Sequence, residues 1–290
     1  MHAIEQELKQ EIQKRMRQYE KQYQIRVLYW SFRSSINIGI KRRNSDLDIM
    51  FAYLASEPEH CLGIHDIMGH GLDFWGVDIR DILTTIDRNN RLAYESPDLA
   101  YLWHISPQHR RAGCSYYFGI YSTLGNPFYG EYHDFLSRTK TDFLDMFEKK
   151  IAARQMLETV GATVDKIWCF GRVCLYDYLF AIWRLALCRH ILDGGLPGRN
   201  HIEYLLHRYY PEELTKQVEK YLDIYQKTYS KESACFPIDL FNHFLTDEYK
   251  TIQKRVTEIP YEKEDVYTNA YEKIRKMIDE FHEIYTRRKR

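Results

Sequence analysis

The stretch at residues 46–53 reads Asp-Leu-Asp-Ile-Met-Phe-Ala-Tyr. Apolar and aromatic residues in so short a run favour a strand. Because side chains alternate between the two faces of a strand, three apolar residues would share one face, and Asp46 and Asp48 would share the other. The sequence therefore predicts a strand with two carboxylates that project together at its beginning.

The segments around this strand are also periodic. Apolar residues at every fourth position predict an amphipathic helix over about residues 3–23, and a run of β-formers predicts a strand at residues 25–32. A polar loop at residues 33–45 follows. A third strand is predicted at residues 71–77. It leads into a helix whose apolar residues fall on one stripe: Ile79, Ile82, Leu83 and Ile86.

Beyond about residue 98 the strand-like alternation disappears and helical periodicity dominates. A long apolar run from Ile167 to Leu192 ends in a Gly- and Pro-rich turn, as a helix terminus does. We therefore expect an α+β chain, with a small mixed-sheet domain at residues 1–100 and an all-helical domain at residues 101–290. The predicted boundary lies near residues 97–110.

The composition is that of an ordinary globular protein. Lys plus Arg equals Asp plus Glu at 41 each, so the net charge predicts neither an extended nucleic-acid groove nor a membrane-binding surface. The sequence contains no signal-peptide pattern and no membrane-length apolar run, so we expect a cytoplasmic protein. The six cysteines are scattered, which predicts free, buried thiols rather than disulfides.

The paired aspartates indicate divalent-cation chemistry. Asp46 and Asp48 could jointly bind Mg²⁺ or Mn²⁺, because Mg²⁺ prefers oxygen ligands and retains substrate phosphates in its shell. The preceding turn, with Ser34, Ser35 and Gly39, could hold a triphosphate through backbone N–H groups and a hydroxyl. The other interpretation is that such a pair at a strand edge is simply solvated or caps a turn.

A third carboxylate usually completes a two-metal site, in which one ion activates the attacking hydroxyl and the other holds the triphosphate. We predict that Asp73 is this third acid, because it lies on the next strand. Asp66 and Asp78 are the alternatives. Asp78 also has the position of a helix N-cap.

The stretch from Ile4 to Glu95 resembles a family of bacterial nucleotidyltransferases that includes the RNA-repair-pathway DNA polymerase β-like protein. That family carries L-Y-A-V-E-S-G-S-R-A-W-G followed by S-D-Y-D, and residues 28–39 and 45–48 are similar to these motifs without a gap. The family's D-x-x-G-W-D-L-R-K-x-L resembles residues 73–83, and its N-P-x-L-L-E resembles residues 90–95. Its helical motif Y-L-Y-x-L-R-P-L-L-A-x-R-W-I is similar to residues 178–191, so the resemblance reaches about residue 206.

The resemblance implies a DNA polymerase β-like nucleotidyltransferase domain followed by a helical domain. Its implied activity is metal-dependent transfer of a nucleoside monophosphate from a nucleoside triphosphate, such as ATP, to a hydroxyl of an RNA end, a protein or a small molecule. It also implies Asp46, Asp48 and Asp73 as the catalytic and metal-binding acids. Ser34, Ser35, Gly39 and the basic residues Arg80, Arg184 and Arg189 are then candidates for binding nucleotide or acceptor.

This sequence departs from the family at several positions. Ser34 stands where the family has glycine, Phe32 and Arg33 replace Glu and Ser, and Trp183 stands at the position of the helical arginine. A glycine permits a closer approach of the backbone to a phosphate than serine does. The alternative hypothesis is therefore a catalytically weakened nucleotide-binding or regulatory protein with the same fold and metal site.

Two other functions are suggested by short patterns. Arg184 and His190 match the loose R-x-H arrangement of HEPN-type RNases, in which histidine acts as acid or base and arginine stabilises the phosphorane.

A zinc site could use His60, Cys61, His65 and His70, but their spacing matches no defined zinc motif. We interpret these loop histidines as surface or hydrogen-bonding groups, and the abundant tyrosines mainly as packing residues.

Overall fold

The computed structural model describes residues 2–32, 38–42, 44–56, 64–68, 71–81, 83–84, 145, 147–195, 201–228, 235–260 and 264–287. The helices are α1 (His2–Gln22), α2 (Lys149–Phe170), α3 (Leu175–Leu192), α4 (Ile202–Tyr209), α5 (Glu212–Lys227), α6 (Asp239–Glu258) and α7 (Glu264–Arg287). The strands are β1 (Ile25–Phe32), β2 (Leu47–Ala55), β3 (Ile64–Met68), β4 (Leu72–Asp78), β5 (Val173–Cys174) and β6 (Cys235–Phe236). The expected α+β class is confirmed.

The first four strands form one mixed sheet in the order β1-β2-β4-β3. The central strand β2 is antiparallel to β1 and parallel to β4, and β3 is antiparallel to β4. The predicted helix at residues 3–23 and all three predicted strands are present. Strand β3 was not predicted, because we interpreted its histidine-containing segment as a loop. Pairing with β4, rather than a hydrophobic pattern of its own, defines this strand.

Both faces of the sheet are covered, which explains why β2 reads as a nearly continuous apolar run. Ile49, Phe51 and Tyr53 pack against α1 through its residues Ile12, Met16 and Tyr19. The alternate residues Met50, Ala52 and Leu54 belong to a second core shared with the helices. The face that carries Asp48 is therefore apolar along the rest of the strand, although its first residues remain accessible.

A hydrogen-bonded carboxylate fastens α1 to the edge of the sheet. Asp66 on β3 accepts a hydrogen bond from the Tyr19 hydroxyl at 2.6 Å and forms an ion pair with Arg15. These partners, Tyr19 first and Arg15 second, lower the pKa of Asp66 below its ordinary value of 3.8. Asp66, an alternative third acid in the sequence, is thus directed at α1.

We expect Asp66→Asn to destabilise the protein by about 1 kcal/mol at pH 7, because it weakens hydrogen bonds to a charged group. A carboxylate whose pKa is lowered on folding adds stability above its unfolded pKa and loses it as the pH falls through its folded pKa. The difference from wild type should therefore shrink on acidification below about pH 4. Urea unfolding at several pH values measures this. The exposed Asp145 gives a control, Asp145→Asn; an equal, pH-independent loss for both variants would contradict the prediction.

The helical layer is built around α3, most of whose residues are buried. A helix that is apolar around its whole circumference requires neighbours on every side, and α3 contacts α2, α4, α5 and α6. One continuous core extends from the sheet residues Leu28 and Met50 into these helices. The predicted domain boundary near residues 97–110 lies outside the described residues.

One cysteine corrects the expectation that the thiols are free. Cys174 on β5 is disulfide-bonded, and the residue directly opposite it on β6 is Cys235. The two cysteines are distant in sequence, so no spacing pattern indicated this bond. Cys188, by contrast, is buried and free as predicted, whereas Cys169 is free but exposed. Within the described residues, no helix is long and apolar enough to cross a membrane.

Candidate functional site

The three predicted acids lie at the beginning of two adjacent strands. Asp48 on β2 and Asp73 on β4 are register partners in the parallel pair. Register partners point to the same face, and neighbouring strands are about 4.8 Å apart. Asp46 immediately precedes β2, where the backbone N–H of Leu47 donates to the Gly71 carbonyl at 2.6 Å. The strand pairing thus brings together acids that are separated in sequence.

Gly71 controls how closely Asp46 approaches β4. Its φ of +75° belongs to the left-handed region, and a Cβ on it would lie 3.1 Å from Asp46 Oδ1. A side chain at this position would therefore crowd the carboxylate as well as strain the backbone. The glycine allows Asp46 to lie beside the residue that directly precedes β4.

Asp73 has a neighbour that the sequence did not indicate. His65 Nε2 lies 2.9 Å from Asp73 Oδ1, in hydrogen-bonding contact. The His65 ring stacks on the Trp75 ring, with centroids 3.9 Å apart and planes inclined by 25°. Trp75 is 37% exposed and the His65 side chain 42% exposed. The third acid is therefore oriented by a partly exposed aromatic pair.

Lys41 and Tyr176 complete the surroundings of Asp46 and Asp48. Burial lowers the pKa of Lys41, and the negative charges of Asp46 and Asp48 partly oppose that effect. Burial raises the pKa of Tyr176 to about 12, and the charge of Asp48 contributes to the rise. Tyr176 lies in the first turn of α3. The charges of the acids thus act on a lysine from the preceding loop and, for Asp48, on a tyrosine of the helical layer.

The segment at residues 38–42 is anchored to the helices. The Ile38 carbonyl accepts from the backbone N–H of Ile202, and the Gly39 carbonyl accepts from Gln226 Nε2. Gly39 has a φ of +81°, and a Cβ on it would lie 2.4 Å from His201 Nε2. Gly39, predicted to bind phosphate, is therefore in close contact with the His201 ring.

The predicted basic residues are not gathered at the acids. Arg80 donates to the buried Asp78 and to the Ala55 carbonyl, at the opposite end of β2 and β4. Since Asp78 is five residues beyond Asp73, this end lies about 17 Å away. Asp78 accepts from the backbone N–H of Arg80 at 2.8 Å, in agreement with the predicted N-cap.

The two arginines of α3 differ in position. Arg189 forms a bidentate ion pair with the buried Glu248 of α6. It lies 13 residues from Tyr176, or about 20 Å along the helix. Arg184 lies over the Phe180 ring at 5.1 Å, and its charge acts on Tyr176. Of the three predicted arginines, Arg184 is thus the one whose charge acts on Tyr176, a residue on which the charge of Asp48 also acts.

The remaining predicted residues are either undescribed or buried. Ser34 and Ser35 lie outside the described residues, as do the zinc candidates other than His65. His190 is 5% exposed and its Nδ1 lies 2.9 Å from the Tyr209 hydroxyl. A histidine in this position would not reach an RNA strand, which argues against the HEPN-type interpretation.

The donor set suits a hard divalent cation. Mg²⁺ is commonly held by one or two carboxylates, with water and substrate phosphates as its other ligands. Asp46 and Asp48 can supply these carboxylates. In the part of the chain that the structure describes, no three His, Cys, Asp or Glu side chains converge on one point. The arrangement therefore does not resemble a metal site whose ligands all come from the protein.

Sequence patterns could have indicated only some of the missed residues. Lys41 begins a short basic run just before the two aspartates, which is a local signal. The sequence indicated His65 only as a possible zinc ligand and did not indicate Tyr176, since the pairing of β3 brings His65 to Asp73 and Tyr176 belongs to the distant helix α3. The sequence matches no protein-family model, and no curated protein or solved structure is found to be similar to it.

Proposed function

We propose that this protein is a metal-dependent nucleotidyltransferase that transfers a nucleoside monophosphate from a nucleoside triphosphate to a hydroxyl acceptor. One observation carries the proposal. Asp48 and Asp73 are register partners on parallel strands, with Asp46 beside them at the same end of the sheet. Carboxylates gathered at a strand end suit the binding of Mg²⁺ or Mn²⁺ together with a triphosphate.

In this two-metal mechanism Asp46 and Asp48 would hold the ions, one of which would lower the pKa of the acceptor hydroxyl while the other would offset negative charge on the triphosphate. Asp73, with one carboxylate oxygen hydrogen-bonded to His65, accepts the proton of the acceptor hydroxyl on its other oxygen. The acceptor oxygen forms a bond to the α-phosphorus while the bond from that phosphorus to the bridging oxygen breaks. Pyrophosphate leaves with that electron pair.

Two cationic side chains, Lys41 and Arg184, are candidates for binding the triphosphate. The charges of Asp46 and Asp48 act on Lys41, and the charge of Arg184, which lies 5.1 Å from the Phe180 ring centre, acts on Tyr176. Ammonium and guanidinium groups stabilise phosphate oxygens as negative charge shifts to the leaving group. We therefore assign Lys41 and Arg184 to the triphosphate.

A weakened, nucleotide-binding relative of such an enzyme is the second candidate. It is favoured by the absence of three converging donor side chains among the described residues and by the hydrogen bond that His65 already makes to Asp73. A protein of this kind would bind a nucleoside triphosphate with its metal but would not transfer the nucleotide.

One titration distinguishes the two candidates. The purified protein is titrated with each nucleoside triphosphate in the presence of Mg²⁺ or Mn²⁺, and α-labelled nucleotide is then followed into RNA, protein and small-molecule acceptors. The enzyme should bind and transfer, and EDTA should abolish both. Binding without transfer to any acceptor would favour the weakened protein. Unchanged metal-dependent binding in the Asp46→Ala/Asp48→Ala double variant would contradict both.

A further inference from the structure

The His65–Trp75 pair presents an indole ring that the transfer chemistry itself does not use. Trp75 lies two residues beyond Asp73, so both side chains project from the same face of β4. Its register partner Met50 is only 3% exposed, whereas Trp75 is 37% exposed. The core that covers β2 therefore ends before it covers the indole ring. A large aromatic side chain remains accessible beside the acids.

The orientation of the pair is defined on two sides. His65 and Trp75 are opposite each other in the β3–β4 register, and their rings are stacked. The His65–Asp73 hydrogen bond holds the imidazole from the side of the acids. A planar surface held in this way loses little side-chain entropy when another ring is added, which makes it suited to bind a flat ligand.

The distance between Trp75 and Asp73 along β4 suits one kind of flat ligand. Two residues of a strand span about 7 Å, so Trp75 lies about that far from Asp73 along β4, whereas His65 contacts Asp73 directly. This separation is comparable with that between the phosphate and the base within one nucleotide. Aromatic side chains bind nucleobases by stacking, and such stacking tolerates any base because every base has a π-face.

We propose that the His65–Trp75 pair stacks a nucleobase of the substrate whose phosphate or hydroxyl end reaches Asp46, Asp48 and Asp73. The assignment rests on the proposed function, since the acids determine which end of the nucleotide lies beside them. The base belongs either to the incoming triphosphate or to the terminal nucleotide of an RNA acceptor. Trp75 is thus a binding residue, and His65 both supports its ring and positions Asp73.

The test separates base binding from phosphate binding. Trp75→Ala, Trp75→Phe and wild type are titrated with a nucleoside triphosphate, with inorganic tripolyphosphate and with a short single-stranded RNA, each with Mg²⁺. We expect Trp75→Ala to weaken binding of the triphosphate, the RNA or both by roughly tenfold, since stacking is lost. Trp75→Phe should retain most of the affinity. Binding of tripolyphosphate, which has no base, should be unchanged in both variants.

The protein provides a matched control in Trp168, which lies on α2 and is 70% exposed. Trp168→Ala removes an exposed indole without touching the sheet, so its affinities should equal those of wild type. Circular dichroism and thermal unfolding of each variant show whether the fold is retained. Weaker triphosphate binding assigns the base to the donor, and weaker RNA binding assigns it to the acceptor.

Unchanged affinity of Trp75→Ala for both triphosphate and RNA would overturn the assignment, as would an equal loss of tripolyphosphate binding. A nucleoside titration separates this failure from failure of the proposed function. If wild type binds nucleosides in a manner that requires Trp75 but shows neither metal-dependent triphosphate binding nor transfer, the aromatic site stands and the enzyme does not. A protein that binds none of these ligands would overturn both proposals.

Discussion

Asp48→Asn should lower the rate of nucleotide transfer on the order of 10³-fold, a loss comparable with removal of a principal electrostatic stabiliser of a transition state. The substitution retains the size of the side chain and removes the charge that would hold the metal. Asp48 is the second residue of β2 and is only partly buried, and it does not lie in the apolar part of the strand. The fold should therefore be retained while transfer is lost. Label transfer at saturating Mg²⁺ measures the effect.

Asp165→Asn is the matched control, because Asp165 is an exposed carboxylate on α2. We expect it to transfer at the wild-type rate. Partial recovery of Asp48→Asn by Mn²⁺ would further indicate that the lost group binds a metal. A variant at Asp48 that retained more than about a tenth of the wild-type rate would be incompatible with the assigned role, given the size of such effects in other enzymes.

Arg189→Met should destabilise the folded protein by about 3 kcal/mol. Arg189 forms its ion pair with Glu248, which is 6% exposed and also accepts from the Tyr210 hydroxyl at 3.1 Å. Methionine retains much of the arginine stem but leaves the Glu248 carboxylate without its cation. Removal of one partner of a buried ion pair is costly because the remaining charge is still desolvated. The midpoint of urea unfolding, with an unchanged slope, measures the loss.

Two further variants show whether the ion pair is responsible. The double variant Arg189→Met/Glu248→Met removes both charges and should recover most of the lost stability. Lys227→Met breaks the exposed ion pair with Asp223 on α5, so it should cost at most about 0.5 kcal/mol. Equal losses for Arg189→Met and Lys227→Met would rule out burial as the source of the effect.

These two predictions concern different parts of one continuous core. The Asp48 variant tests chemistry at the beginning of β2, and the Arg189 variant tests the packing of α3 on α6. Arg189 was a candidate phosphate ligand in the sequence, yet its guanidinium is already occupied by Glu248. The family resemblance of residues 178–191 made Arg189 a candidate for binding phosphate, whereas its partner Glu248 lies on a helix far along the chain.

Local patterns predicted the elements that carry the acids. The amphipathic α1 and the strands β1, β2 and β4 could be recognised because their periodicity is determined by neighbouring residues. The same alternation predicts that Asp46 and Asp48 project together, which stays a prediction because β2 begins at Leu47. The Asp78 N-cap is equally local, since its carboxylate binds a backbone N–H two residues later. Each of these features depends on a few consecutive residues.

Only the tertiary structure decided which distant residues surround the acids. The β2–β4 register placed Asp73 beside Asp48, and the pairing of β3 brought His65 to Asp73. The charge of Asp48 also acts on Tyr176, which belongs to the distant helix α3. The sequence likewise did not predict the disulfide of Cys174 or the ion pairs that Arg80 forms with Asp78 and Arg189 forms with Glu248. Periodicity reports which face of an element is buried, but not which element covers it. Contacts between segments distant in sequence depend on how the whole chain packs, and that packing supplied the neighbours of the paired aspartates.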